Sequence, residues 1–120
     1  MLQPTSTNIL EKKNNDDVVT GYVKQLFWET EYYTLVIQYT SEDGVTFPEE
    51  NPYVGVINNS PFNIEIHPDF DDNLLRYFGV KVSMYSNLAE TAEELVELSE
   101  NLKSVANSVE LFNQVISERL

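Results

Sequence analysis

The chain has 120 residues, with 7 Lys and Arg against 20 Asp and Glu, and its formal net charge at pH 7 is −13. Its hydrophobic and aromatic fractions, 42% and 12%, exclude a disordered acidic tail. The lack of Cys excludes disulfides and thiolate metal sites, and no apolar run approaches the roughly 20 residues of a membrane helix. We expect a single domain over residues 1–120. Residues 1–8 resemble no secretory signal, which favours a cytoplasmic protein.

Residues 1–86 carry the features of an antiparallel sheet. Residues 1–17 are polar and predict a loose N-terminal arm that could add a short edge strand. Runs rich in β-branched and aromatic residues then alternate with turn residues, which predicts strands over 18–28, 32–40, 45–47, 53–57 and 62–67. Because most of the turns are tight, these strands are expected to form a meander.

A short helix is predicted near residues 72–78. Asp71 or Asp72 could cap it, and Gly79 could end it in the left-handed conformation. Residues 80–85 alternate again and predict the last strand. The predicted sheet therefore occupies residues 18–86 and has five or six strands.

A long amphipathic helix is predicted from about Leu88, with Asn87 as its N-cap and Glu90 completing a capping box. No Pro or Gly follows, and 33 residues of helix would span roughly 50 Å, far longer than a strand of the sheet. The helix should therefore either break near 101 or near 106–108, or stay straight and pack its overhang on a second copy. We favour the straight helix in a homodimer. The predicted oligomer interface is the apolar seam Leu95, Leu98, Leu102, Val105, Val109, Phe112 and Ile116.

These elements predict the α+β class, and the charge distribution predicts the kind of partner. Between Lys24 and Arg76 the sequence has no Lys or Arg, so the carboxylates of this stretch lack local counterions. A basic protein surface would complement them. Direct binding of nucleic acid or of a membrane surface is disfavoured because both need clustered cations. The alternative is that the acids serve solubility alone. The predicted partner-binding residues are Glu42, Asp43, Glu49, Glu50, Glu65, Asp69, Asp71, Asp72, Glu90, Glu93, Glu97 and Glu100.

No catalytic residue, metal site or cofactor is predicted. His67 is the single His and has acidic neighbours, but a metal site needs several ligands that converge on one ion. Residues 69–80 begin like a calcium loop, yet Leu74 and Val80 stand where Gly and Glu are required. The sequence also lacks a Gly-x-Ser-x-Gly elbow and a phosphate-binding glycine loop.

The expected function is that of a non-enzymatic acidic binding protein that blocks a basic surface of another macromolecule. Inhibitors of nucleic-acid-acting enzymes, such as phage anti-defence proteins that mimic DNA and toxin-immunity proteins, use this physics. One alternative is a structural or adaptor protein, or a chaperone, that oligomerises through its helix and sheet face. The third is a small metal-dependent hydrolase centred on His67.

Overall fold

The computed structural model describes residues 2–72, 74–82 and 88–119, which form six strands and one helix. The strands are β1 (Ser6–Lys13), β2 (Val19–Glu29), β3 (Tyr33–Ser41), β4 (Tyr53–Asn58), β5 (Ile64–Asp71) and β6 (Leu74–Val82), and the helix is α1 (Ala92–Arg119). β1 to β4 form an antiparallel meander in chain order, and β5 and β6 form a separate two-stranded sheet. The predicted α+β class with a meander sheet is confirmed, but the strands are divided between two sheets of four and two strands rather than joined in one sheet of five or six. In the described part of the chain, no helix has the length and hydropathy needed to cross a membrane.

The meander has an inner face that packs against α1. Successive side chains of a strand point to opposite faces, and every second residue of β3 from Tyr33 to Tyr39 is buried. Leu26 and Trp28 of β2 lie opposite Ile37 and Leu35 of β3 and complete this face. The N-terminal segment, expected to be a loose arm with a potential edge strand, forms the edge strand β1, whose eight residues are all exposed.

Asn58 links the two sheets where no strand pairing does so. Its side-chain Oδ1 accepts a hydrogen bond from the Ile66 N–H at 2.7 Å, and its Nδ2 donates to the Ile66 carbonyl at 3.2 Å. The buried Tyr33 hydroxyl adds a second link by donating to the Ile64 carbonyl at 2.8 Å. The β5–β6 hairpin is thus held beside the meander by side-chain hydrogen bonds.

The short helix predicted near 72–78 is wrong, because Asp72 lies in a turn and residues 74–78 belong to β6. Asp72 turns the chain with a φ of 50°, and Asp71 pairs with Leu74. Arg76 is an extra residue in the ladder, since Tyr77 pairs with Asp69 but Leu75 pairs with Phe70. Such a bulge brings side chains three positions apart to one face, which imitates helical spacing in the sequence.

The predicted strand over 45–47 is also absent, because these residues lie in the loop between β3 and β4. Asp43 Oδ1 accepts hydrogen bonds from the backbone N–H groups of Val45 and Thr46, both at 2.9 Å. Gly44 has a φ of 76°, so the chain curls around the Asp43 carboxylate instead of extending. Of the last predicted strand, 80–82 lie in β6, and 83–85 fall outside the described residues.

The long C-terminal helix is confirmed, and it begins at Ala92. Its N-cap is Thr91, whose hydroxyl accepts the Glu94 N–H at 3.1 Å, and the Glu94 carboxylate accepts the Glu90 N–H at 2.8 Å. The proposed cap Asn87 lies outside the described residues.

The helix is unbroken through the positions where a break was considered. The polar residues there contact the β2–β3 turn: the Tyr32 hydroxyl donates to Asn101 at 2.9 Å, and the Ser108 hydroxyl donates to Thr30 at 2.7 Å. Their hydrogen bonds place one side of α1 across this turn.

Candidate interaction surface

The predicted partner-binding acids fall into two groups at opposite ends of the meander. One group lies at the end that holds the β3–β4 loop. Glu49 of that loop and Leu74 of β6 line the same cleft, so the β5–β6 turn is at this end as well. This group is called the loop-end acids, and its members are Glu42, Asp43, Glu49, Glu50, Asp69, Asp71 and Asp72.

The second group lies beside the β2–β3 turn, where α1 begins. Tyr32 marks the position: burial raises the pKa of its hydroxyl, and the nearby carboxylates of Glu31 and Glu97 raise the pKa further. Glu65 is close to this end because it lies one residue from Ile64, whose carbonyl binds Tyr33. This group is called the helix-end acids, and its predicted members are Glu65, Glu90, Glu93, Glu97 and Glu100.

Several loop-end acids are engaged within the chain. The backbone N–H groups of Thr46 and Val45, followed by the Ser41 hydroxyl, hold the pKa of Asp43 below its usual value. Asp71 forms an ion pair with Arg76 at 2.7 Å. A hydrogen bond to Asp69, and then the charge of this carboxylate, raises the pKa of the Tyr77 hydroxyl. Because these carboxylates already bind groups within the chain, they are less available for hydrogen bonds and ion pairs with a partner.

The first turns of α1 carry several exposed carboxylates, of which that of Glu94 accepts the Glu90 N–H. Every residue from 90 to 97 is exposed, and Leu98 is the first buried side chain of the helix. Leu95 and Val96 are 58% and 60% exposed although both are large and apolar. Residues 90–100 contain five Glu, and residues 88–102 contain no Lys or Arg. We call residues 90–100 the helical overhang.

The acids of the helical overhang are largely unneutralised. Among the ion pairs of the described residues, none involves Glu93, Glu97 or Glu100. Glu65 differs, since it binds His67 at 2.7 Å and lies opposite Lys81 in the β5–β6 ladder. The overhang therefore combines uncompensated negative charge with exposed apolar surface.

Most of the predicted oligomer interface is buried inside the protomer itself. Leu98, Val105, Phe112 and Ile116 belong to the core between α1 and the two sheets, so their assignment to an intermolecular seam is wrong. These residues recur at intervals of seven and four positions and therefore form one apolar stripe along the helix, which packs against this chain's own sheets. The remaining positions are Leu95 and Leu102, which are exposed, and Val109, which is half-buried against the core.

His67 is not surrounded by ligands that converge on a metal ion. Its Nε2 is paired with Glu65, whereas Asp71 is bound to Arg76. In the described part of the chain, no group of three or more His, Asp and Glu side chains could hold a metal.

Sequence reasoning missed a third feature, a cleft between the β5–β6 hairpin and the end of α1. Its residues come from distant parts of the chain, including Pro52, Leu75 and Arg119. The one signal in the sequence was Arg119, a cation that ends the apolar series of the helix.

No protein-family model, curated protein or solved structure matches this chain. The choice among its surfaces therefore depends on exposure, charge and hydrogen bonding.

Proposed function

We propose that this chain is a non-enzymatic acidic binding protein whose helical overhang occupies a basic surface of another macromolecule. The observation that carries the proposal is the run of five Glu around exposed Leu95 and Val96, without Lys or Arg over residues 88–102. Such a helix would dock in a groove that is apolar at its centre and basic at its rim.

The energetics of the free overhang support this proposal. Glu93 and Glu97 are four residues apart, and like charges at this spacing cost a few tenths of a kcal/mol. The helix dipole offsets part of this cost at the N-terminus. More than half of the surface of Leu95 and of Val96 stays in contact with water while the overhang is free. A basic, apolar partner would relieve the repulsion and bury both side chains.

Enzymes that act on nucleic acid are the favoured partner class. They present clustered Lys and Arg to phosphate groups, and this is the surface that a row of carboxylates can occupy. Glu93 and Glu97 are separated by one helical turn, or about 6 Å along the axis at 1.5 Å per residue. In this proposal the chain inhibits the enzyme by competing with the nucleic acid.

The test is displacement of fluorescent duplex DNA from a set of purified basic nucleases and repressors, followed by anisotropy. We expect the wild-type chain to release DNA from at least one of them. Because the contact is electrostatic, the apparent affinity should fall at least about tenfold between about 50 and 200 mM salt. Failure to release DNA from any member of the set would contradict the proposal.

Two triple variants with equal charge changes locate the surface. Replacing Glu93, Glu97 and Glu100 by Gln should weaken displacement at least about tenfold, the equivalent of about 1.4 kcal/mol. Replacing Glu42, Glu49 and Glu50 by Gln should leave it within about twofold. Equal weakening by both triples would mean that net charge, rather than the helical overhang, drives the contact.

A second candidate is an adaptor that self-associates, favoured by the exposed Leu95 and Leu102, which are seven residues apart on α1. Under this candidate, light scattering at tens of micromolar should give a dimer, and Leu102→Glu should convert it to a monomer. Asn107→Glu, an equal charge change at an exposed position, should leave the dimer intact. A monomeric wild type at these concentrations would reject the candidate.

A further inference from the structure

A cleft of about 690 Å³ lies between the β5–β6 hairpin, the start of β4 and the last turns of α1. Its apolar wall includes Val54, Leu74, Leu75 and Ile116, and Arg119 adds a cation. This volume is within the range of sites for small organic molecules, which typically combine apolar walls with a few polar groups.

Arg119 is positioned by an aromatic ring. Its guanidinium carbon is 5.0 Å from the centroid of the Trp28 ring, and Trp28 is only 2% exposed. A cation above an aromatic face is attracted by the ring, so this contact fixes the head group of Arg119. In the described part of the chain, Arg119 takes part in no ion pair.

Two buried nitrogens at Arg119, the Trp28 Nε1 and the Arg119 Nε, lack a hydrogen-bond partner among the described residues. The two nitrogens can only donate, and leaving such buried groups unpaired costs free energy. Burial and then the Glu49 carboxylate raise the pKa of the Tyr39 hydroxyl, whereas the charge of Arg119 and a hydrogen bond with it lower this pKa, so the hydroxyl lies next to the guanidinium.

We propose that this cleft binds a small organic carboxylate with an apolar body. The ligand's carboxylate would accept hydrogen bonds from the Arg119 guanidinium, and its apolar body would pack against Leu75 and Ile116. Glu49 and Arg76 also line the cleft. Because Arg76 is already paired with Asp71, Glu49 disfavours a second negative charge on the ligand, so a monoanion suits the site better than a phosphate or a dicarboxylate. The proposal is independent of the helical overhang, which lies at the other end of the meander.

The test uses 3-phenylpropionate as the probe and the neutral 3-phenylpropionamide as its matched control. Trp28 is the single Trp of the chain, so the ¹H–¹⁵N spectrum contains one indole resonance, and it reports on the ring that the Arg119 head group covers. At constant ionic strength, we expect the carboxylate to shift this resonance saturably and the amide to bind at least about tenfold more weakly. A missing saturable shift at millimolar carboxylate, or equal binding of the amide, would overturn the proposal.

Variants then test the role assigned to Arg119. Arg119→Gln should weaken carboxylate binding at least about tenfold, whereas Lys103→Gln, an equal charge change on an exposed helix position, should leave it within about twofold. Should Arg119→Gln prevent folding, Leu74→Glu provides a second variant, because it adds a repelling carboxylate at an exposed wall position. Unchanged binding in the folded Arg119→Gln variant, or in Leu74→Glu, would count against the site.

Discussion

Replacing Phe112 by Ala is expected to lower the free energy of unfolding by about 3–5 kcal/mol. Phe112 is fully buried, and its ring meets that of Phe78 edge-to-face with centroids 5.7 Å apart. The substitution removes this contact and leaves a cavity between α1 and the hairpin, which the surrounding backbone can fill only in part. Since small domains have about 5–15 kcal/mol of stability in total, this single change brings the fold close to unfolding.

Urea denaturation followed by circular dichroism measures this effect, and Leu95→Ala is the matched control on the same helix. Leu95 is exposed in the helical overhang, so its truncation should alter stability by no more than about 0.5 kcal/mol. A loss below about 1 kcal/mol for Phe112→Ala would show that the interior between helix and hairpin is not packed as described.

The second large loss of stability is expected on replacing Asn58, whose side chain makes the hydrogen bonds between the two sheets that a paired strand would otherwise make. Asn58→Ala removes the partners of the Ile66 N–H and carbonyl, and Ile66 is fully buried. Leaving a buried backbone donor unpaired costs about 1–3 kcal/mol. The loss should be accompanied by faster amide exchange of Ile66 and its neighbours in β5.

Asn59→Ala is the control for this prediction, because Asn59 is exposed and contributes a backbone N–H bond to the Tyr32 carbonyl that Ala retains. Its stability should stay within about 0.5 kcal/mol of the wild type. If Asn58→Ala were equally neutral, the hairpin would have to be held by apolar contacts and by the hydrogen bond of the Tyr33 hydroxyl to the Ile64 carbonyl.

The strands with strict alternation could be predicted from the sequence. In β3, the alternation of apolar residues with Thr34 and Gln38 requires one buried face, and the structure buries that face. The segment around Leu75 and Phe78 could not be predicted this way. Its apolar spacing is helical only because Arg76 bulges out of the ladder, and a bulge depends on the pairing partner β5, which local sequence does not specify.

The apolar seam of α1 could be predicted as a face, but its partner could not. A stripe that contains Leu98, Val105 and Phe112 satisfies both a coiled coil and a sheet-packed helix. Only the three-dimensional placement of the two sheets decides between them, and it also buries Ser108 and Val115 outside the predicted seam.

The cleft around Arg119 was beyond sequence reasoning for a related reason. Trp28 and Arg119 are close in space but 91 positions apart in the chain, and neither belongs to a recognisable motif. The acidic run of the helical overhang, in contrast, is contiguous and was visible in the sequence. What the sequence could not indicate is that Leu95 and Val96 are exposed, whereas Leu98 of the same segment is buried in the core.

The position of α1 after all six strands has a consequence during translation. The meander can pair as soon as β4 has left the ribosome, yet Trp28 is covered only when the last turn of α1 emerges. At about 5–20 residues per second, the ribosome adds the 61 residues from Asn58 to Arg119 in roughly 3–12 s. During that interval the nascent chain exposes the apolar face of the sheet, so we expect a holding chaperone to bind it.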